Sequence, residues 1–190
     1  MASALFLEEG FAAASMAAIA SRVGGSKGTL YNYFASKESL FAALIHRECE
    51  VMLLDPLVQQ APSEDPADGL RHIGMRFTDF TLAEHALAFQ RLVVSEAPRF
   101  PELGRAFYDN GPRRCIDLVA RWLAEEAERG HLRIEEPARA ASQFLDLCRS
   151  GLMHRALCMV DPPPDEAARR RSVDAAVSVF LSAYGVDGAR

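Results

Sequence analysis

Apolar residues recur at three- and four-residue intervals along most of the chain, and no alternation of period two survives at useful length. That pattern predicts helices throughout. Leu40, Phe41, Leu44, Ile45, Met52 and Leu53 share one side of a helix expected from Ser36 to about Leu54, and Ser36 followed by Glu38 and Ser39 supplies a capped start. Pro56 to Pro66 is loop-rich and ends in Asp65-Pro66, a cap followed by proline at the first helical position. Leu70, Ile73, Phe77, Phe80 and Leu82 mark the next helix, to roughly Ala83, and Leu87, Phe89, Leu92 and Val93 mark another before Pro98. Pro101 opens a segment that is interrupted at Gly111-Pro112 and resumes through Cys115, Ile116, Val119, Trp122 and Leu123 to Gly130. One long helix should run from near Glu136-Pro137 to about Met159, stopped by Asp161-Pro162-Pro163-Pro164. A second, from about Asp165 to Tyr184, carries Val173, Val177, Phe180 and Leu181 at helical spacing. The expectation is an all-α protein of about nine helices.

The run from Arg22 to Lys37 has a different character. Ser15 precedes Met16-Ala17-Ala18-Ile19-Ala20 and can cap that helix, Gly24 suits the sharp turn that ends it, and Ser26 can cap a second, short helix. Leu30 and Phe34 lie four apart on one face of the short helix, while Lys27, Gly28, Thr29, Tyr31, Asn32 and Tyr33 fill the other. A cation, hydroxyls and an amide, with a glycine allowing close approach, suit phosphates and base edges. The run holds three basic residues and no acidic one, and its Lys27 and Lys37 are the only lysines in the chain. It reads as the turn and second helix of a helix-turn-helix. The plainer reading is a helix pair with a solvated polar face.

Three segments carry a family resemblance: Leu5-Phe6-Leu7-Glu8-Glu9-Gly10-Phe11, Met16-Ala17-Ala18-Ile19-Ala20, and Gly28-Thr29-Leu30-Tyr31-Asn32-Tyr33-Phe34 with Ser36-Lys37-Glu38-Ser39-Leu40. In this order and spacing the chain resembles a TetR-type transcriptional regulator. The resemblance implies that the helix from Lys27 to Phe34 enters the major groove. Tyr31, Tyr33 and Lys37 would then meet phosphates, with Lys27, Gly28 and Thr29 nearer the bases, and Ser15, Ser26 and Asn32 complete the expected DNA-binding set. It also implies a small head core of Leu5, Phe6, Phe11, Ile19, Leu30 and Phe34. The segments from Arg91 to Leu103 and Ala120 to Leu123, with Leu132-Arg133-Ile134 and Pro137 to Phe144, resemble the effector domain of AefR-like members. The chain departs from the family in a first helix expected to be short, starting at Met1-Ala2-Ser3-Ala4 without basic residues. It departs again in Gly25, which stands where an apolar residue is usual.

The expected division is therefore a helix-turn-helix head over 1–46 and an effector-binding, dimerising body over 47–190. Phe144, Leu145, Cys148, Leu152, Val173, Val177 and Phe180 give the last two long helices apolar stripes that would pack against their copies in a homodimer. The alternative is that these stripes face the protomer's own core. Two heads about one DNA turn apart would read a palindrome in double-stranded DNA. An unidentified small-molecule effector is expected among Phe77, Phe80, Phe89, Phe107, Tyr108, Trp122 and Met153, with Arg91, Gln90, His85 or His154 as polar partners.

Composition and charge narrow the classes further. The chain has 190 residues, 49% apolar and 25% charged, with a net charge of −5, ordinary values for a protein with a buried core. No stretch of 18 apolar residues exists, and the opening segment is too short and too acidic for a signal peptide, so a cytoplasmic location is expected. An acidic protein still binds DNA through a local basic patch, because charge is screened over about 8 Å at physiological salt. Cys49, Cys115, Cys148 and Cys158 have no metal spacing and should be reduced thiols. No nucleophile elbow, phosphate loop or GxGxxG is present, so neither an enzyme nor a cofactor is expected. The function expected is a ligand-responsive repressor. The alternative is an effector-binding helical dimer with weak or lost DNA binding, suggested by the short first helix and Gly25.

Overall fold

Capping residues set the helix boundaries in the computed structural model, which describes residues 2–49, 65–160 and 162–186. The N-terminal stretch forms α1 (Ala2–Ala13), α2 (Met16–Arg22), α3 (Lys27–Tyr33) and α4 (Lys37–Cys49). Ser15 Oγ accepts the Ala18 N–H at 3.1 Å, and Ser26 Oγ accepts the Thr29 N–H at 3.0 Å. Gly24, at φ +76°, turns the chain between α2 and α3 in a backbone conformation that a side chain would strain. Ser36 and Ser39 cap α4 reciprocally, the Ser39 N–H on Ser36 Oγ at 3.2 Å and the Ser36 N–H on Ser39 Oγ at 3.1 Å. A serine here does the work of the usual Glu or Gln. Met52, Leu53, the expected end of this helix at Leu54 and most of the loop from Pro56 lie outside the described residues.

The rest of the chain forms α5 (Pro66–Thr81), α6 (Glu84–Glu96), α7 (Pro101–Asn110), α8 (Pro112–Glu128), α9 (Pro137–Cys148), α10 (Leu152–Leu157) and α11 (Glu166–Tyr184). Asp65 caps α5 through Ala67 N–H at 2.8 Å, with Pro66 in the first turn, and Asp165 caps α11 through Ala168 N–H at 2.7 Å. The stretch expected as one helix from Glu136 to Met159 is two. Gly151 adopts φ +74° and breaks it into α9 and α10. An isolated antiparallel bridge joins Leu132 to Gly185, with the Arg133 N–H on Tyr184 O at 2.8 Å.

The chain divides into two units, Met1–Cys49 with Ala88–Pro112, and Glu50–Leu87 with Arg113–Arg190. In the first, α4 packs along α7 over an aromatic core. Phe6, Phe11 and Phe41 are fully buried with ring centroids 5.5–5.8 Å apart; Phe100 meets Phe11 at 5.3 Å and Phe89 meets Phe41 at 5.8 Å. Phe6 and Phe11 are stacked and the other four pairs meet edge to face, and such aromatic pairs each contribute about 0.5–1.5 kcal/mol beyond their buried area. Leu5 and Ile19 complete the expected head core, while Leu30 and Phe34 are half-buried. Phe89, expected in a ligand pocket, instead belongs to this core.

In the second unit α5, α9 and α11 pack on one another. The approach is close at two glycines of α5. A Cβ on Gly69 would stand 2.4 Å from Trp122 Cζ2, and one on Gly74 would stand 2.7 Å from Val173 Cγ1. Phe144, Leu145, Cys148, Val173, Val177 and Phe180, expected on the dimer surface, are all buried inside the protomer, with Phe144 and Phe180 in contact at 5.2 Å. Leu152 is half-buried. The stripes face inward because α9 and α11 cover α5 and each other, so the alternative reading of these stripes holds for those six residues. Glu126, also buried, is held by Arg129 Nη1 at 2.6 Å and His131 Nδ1 at 2.7 Å, which secures the turn after α8.

Candidate nucleic-acid interface

The short helix α3 has no buried residue. Its exposed side presents Lys27, Gly28, Thr29, Tyr31, Asn32 and Tyr33, with Tyr33 78% accessible and Tyr31 45%. Seven residues cannot hold a helix by propensity alone. Here the Ser26 cap and the half-buried Leu30 and Phe34 hold it against the head, leaving the polar side to meet a partner. Ser26 Oγ also bonds Thr29 Oγ1 at 2.8 Å, which fixes the first turn. Lys27 lies along the Tyr31 ring, its Nζ 5.7 Å from the centroid. Ser15 is exposed, but its hydroxyl is engaged in capping α2.

The other two cations of the run are partnered. Arg22 pairs with Glu8 at 2.7 and 2.9 Å. Lys37 is half-buried, and its ammonium donates to the carbonyls of Phe11 and Ala12, the latter at 3.3 Å. Its position at the head of α4 was expected to meet phosphate, whereas here the side chain holds the end of α1. Neither contact has a local sequence signal, since the partners are 14 and about 26 residues apart. No excess of acidic charge opposes an anion at α3. The first unit holds seven basic and seven acidic residues, so the net charge of −5 resides in the second.

The residues expected around a ligand fall in both units. Phe77, Trp122 and Met153 are buried in the second, with Phe80 half-buried. The Arg149 guanidinium lies 5.8 Å from the Phe77 ring centre, and Met153 packs with Leu87 and Ala156. Arg91 and Phe107 are half-buried in the first unit, and Tyr108 is exposed there. Two recesses in the second unit are lined by other residues. One of about 540 Å³ is bordered by Met75, Asp79, Leu82, Ala83, Glu166 and Arg169, and one of about 400 Å³ by Arg114, Asp117, Ala120 and Arg121. Cys115 and Cys148 are buried thiols and Cys158 is exposed. Burial pushes the Cys148 thiol from its ordinary 9.0 up to about 12. Among the described residues no cluster of His, Cys, Asp or Glu is arranged to hold a metal, and no helix is long and apolar enough to cross a membrane.

Comparison with known proteins agrees with this geometry. Residues 1–44 match the tetR family of bacterial regulatory proteins, and residues 68–186 match the C-terminal domain of AefR-like transcriptional repressors. The HTH-type transcriptional regulator UidR of Escherichia coli is 29% identical over 132 residues, covering 67% of this chain and 63% of UidR, so the match spans less than two thirds of that relative. The solved structure of the flavonoid-responsive regulator FrrA shares 37% identity at a TM-score of 0.83, covering 98% of this chain and 94% of FrrA. A TetR-family regulator from Mesorhizobium loti shares 28% at a TM-score of 0.84, covering 97% and 93%.

Proposed function

The chain belongs to the TetR family of non-enzymatic, DNA-binding transcriptional regulators, and from that membership we propose a homodimeric repressor that a small-molecule effector releases from a palindromic operator. The observation that carries the proposal is the exposed polar side of α3, capped at Ser26 and presenting Lys27, Gly28, Thr29, Tyr31, Asn32 and Tyr33. We assign residues 1–46 to the DNA-binding head and 47–190 to the effector and dimerisation body, of which residues 88–112 fold in one unit with the head. The protein acts in the cytoplasm, where its DNA is.

Dimerisation is assigned to the outer faces of the last two long helices. Ala175, Ser178, Val179, Ser182 and Ala183 are exposed on α11 and carry no charge. Small residues let a two-fold copy approach closely. For the effector, Phe77, Phe80, Trp122 and Met153 remain the residues assigned in the body. FrrA is flavonoid-responsive, which makes flavonoids the first compounds to screen. A coupling of about 1–3 kcal/mol between effector and DNA suffices to change operator occupancy from severalfold to a hundredfold.

The test is selection of a preferred duplex from a random DNA pool, with affinity read by fluorescence anisotropy at two salt concentrations. An enriched two-fold-symmetric sequence is expected, with affinity falling steeply as salt rises and collapsing in Tyr33→Ala. A folded dimer that enriches nothing would overturn the repressor reading in favour of an effector-binding dimer that has lost DNA binding.

A further inference from the structure

The end of α1 is held from two sides within the first unit. Gly10 interrupts the helix at φ +81°, ψ 161°, so Phe11, Ala12 and Ala13 form a terminal turn of their own. Carbonyls in the last turn of a helix lack intrahelical partners and carry the negative end of its dipole. Here Phe11 O and Ala12 O are taken by the Lys37 ammonium, which also lies 4.4 Å from the Phe11 ring centre and 5.9 Å from that of Phe100. From the other side Glu96, the last residue of α6, accepts the Ala12 N–H on Oε1 at 3.4 Å. Gly10 is fitted to that contact, since a Cβ there would stand 3.3 Å from the same oxygen. Phe100, at the corner before α7, packs on Phe11 at 5.3 Å and carries the Arg99 guanidinium at 5.3 Å from its own centre.

We propose that Lys37 and Glu96 form a clamp that ties the end of α1 to the corner between α6 and α7. Lys37 is then a positioning residue of the head and not a phosphate contact. A shift of the corner moves Glu96 and Phe100 together and is delivered to α1, and through the Lys37 side chain to the start of α4. The corner is the C-terminal end of α6, which begins at Glu84. The regulatory use of the clamp rests on the repressor reading; the clamp itself does not.

The full chain carrying Lys37→Met, Lys37→Arg or Glu96→Ala tests this by backbone hydrogen exchange and by the salt dependence of binding to the selected duplex. The methionine keeps the apolar stem and removes the donor. Exchange at residues 11–14 is expected to rise about tenfold or more in Lys37→Met, the scale of a lost charge-assisted bond, and to return in Lys37→Arg. Glu96→Ala should expose the same amides, and the double variant should exchange less than the product of the two singles, because both side chains hold one turn. The slope of log affinity against log salt should stay unchanged in Lys37→Met. A slope smaller by about one, with unchanged exchange, would identify Lys37 as a phosphate contact and overturn the clamp. If the wild type selects no duplex, the repressor reading fails while the exchange data still decide the clamp.

Discussion

The two units of this chain treat their informative residues in opposite ways. In the first, the residues that suit DNA are on the surface, and the fold is carried by aromatic rings that touch nothing outside. In the second, the residues that first look functional are the fold. Charge divides along the same line. The first unit is balanced and pairs Arg22 with Glu8 across the head. The second carries the whole acidic excess and also holds short-range pairs such as Arg71–Asp68, Arg139–Glu136 and Arg170–Glu166. Exposed pairs of this kind contribute little to stability.

The sharpest way to break the comparison is to truncate one aromatic from each class. Phe144→Ala should cost about 3–5 kcal/mol, because a fully buried ring is replaced by a cavity. Tyr33→Ala should change stability by less than about 0.5 kcal/mol. Urea denaturation of the two variants checks both values, and equal losses would erase the distinction between the units. Val179→Asp comes next. If the outer face of α11 is the dimer surface, a charge placed twice near the two-fold axis should cost about 3–5 kcal/mol of association, and sedimentation should show a folded monomer. A variant that stays dimeric would move the interface elsewhere.

Cys148 gives a smaller effect with a defined pH window. The unfolded thiol loses its proton near 9.0 and the folded one holds it up to about 12. Between those values the unfolded state binds fewer protons, so stability must fall as pH rises. At pH 10.5 the loss relative to pH 8 should be on the order of 2 kcal/mol. It should be absent from the difference between the same two pH values in Cys148→Ala. Alkylation of the folded protein at pH 8 should label the exposed Cys158 and spare Cys148.

Local rules made most of the fold legible. Ser15, Ser26, Ser36, Asp65 and Asp165 each stand where a helix begins, and each can be recognised from one or two neighbours. The polar side of α3 was legible for the same reason, since a seven-residue helix with Leu30 and Phe34 inward has one possible outward side. Burial in the second unit was not. A stripe such as Phe144, Cys148, Val173 and Val177 has the same period whether it meets α5 or a second copy. What decides is the third helix, α5, whose Gly74 lets it approach Val173 and Cys148 closely enough to cover the stripe. The Lys37 contacts were hidden for a related reason, because a side chain on α4 reaches carbonyls about 26 residues earlier, and no spacing rule connects them.

That last point makes Lys27 the finest test of the comparison. Of the three cations from Arg22 to Lys37, one is paired with Glu8 and one donates to the carbonyls of Phe11 and Ala12, while Lys27 is exposed on α3 over Tyr31. If it meets phosphate, Lys27→Ala should weaken every duplex about equally and reduce the salt slope by about one. If it reads a base, the loss should fall on the selected sequence alone, by about 1–3 kcal/mol, with the slope for non-specific DNA intact. Anisotropy against matched and scrambled duplexes at several salt concentrations separates the two. Either result would place Lys27 of a head with no net charge at the DNA. No change in either measurement would remove Lys27 from the interface and leave the hydroxyls and amide of α3 to be tested through Tyr33→Ala.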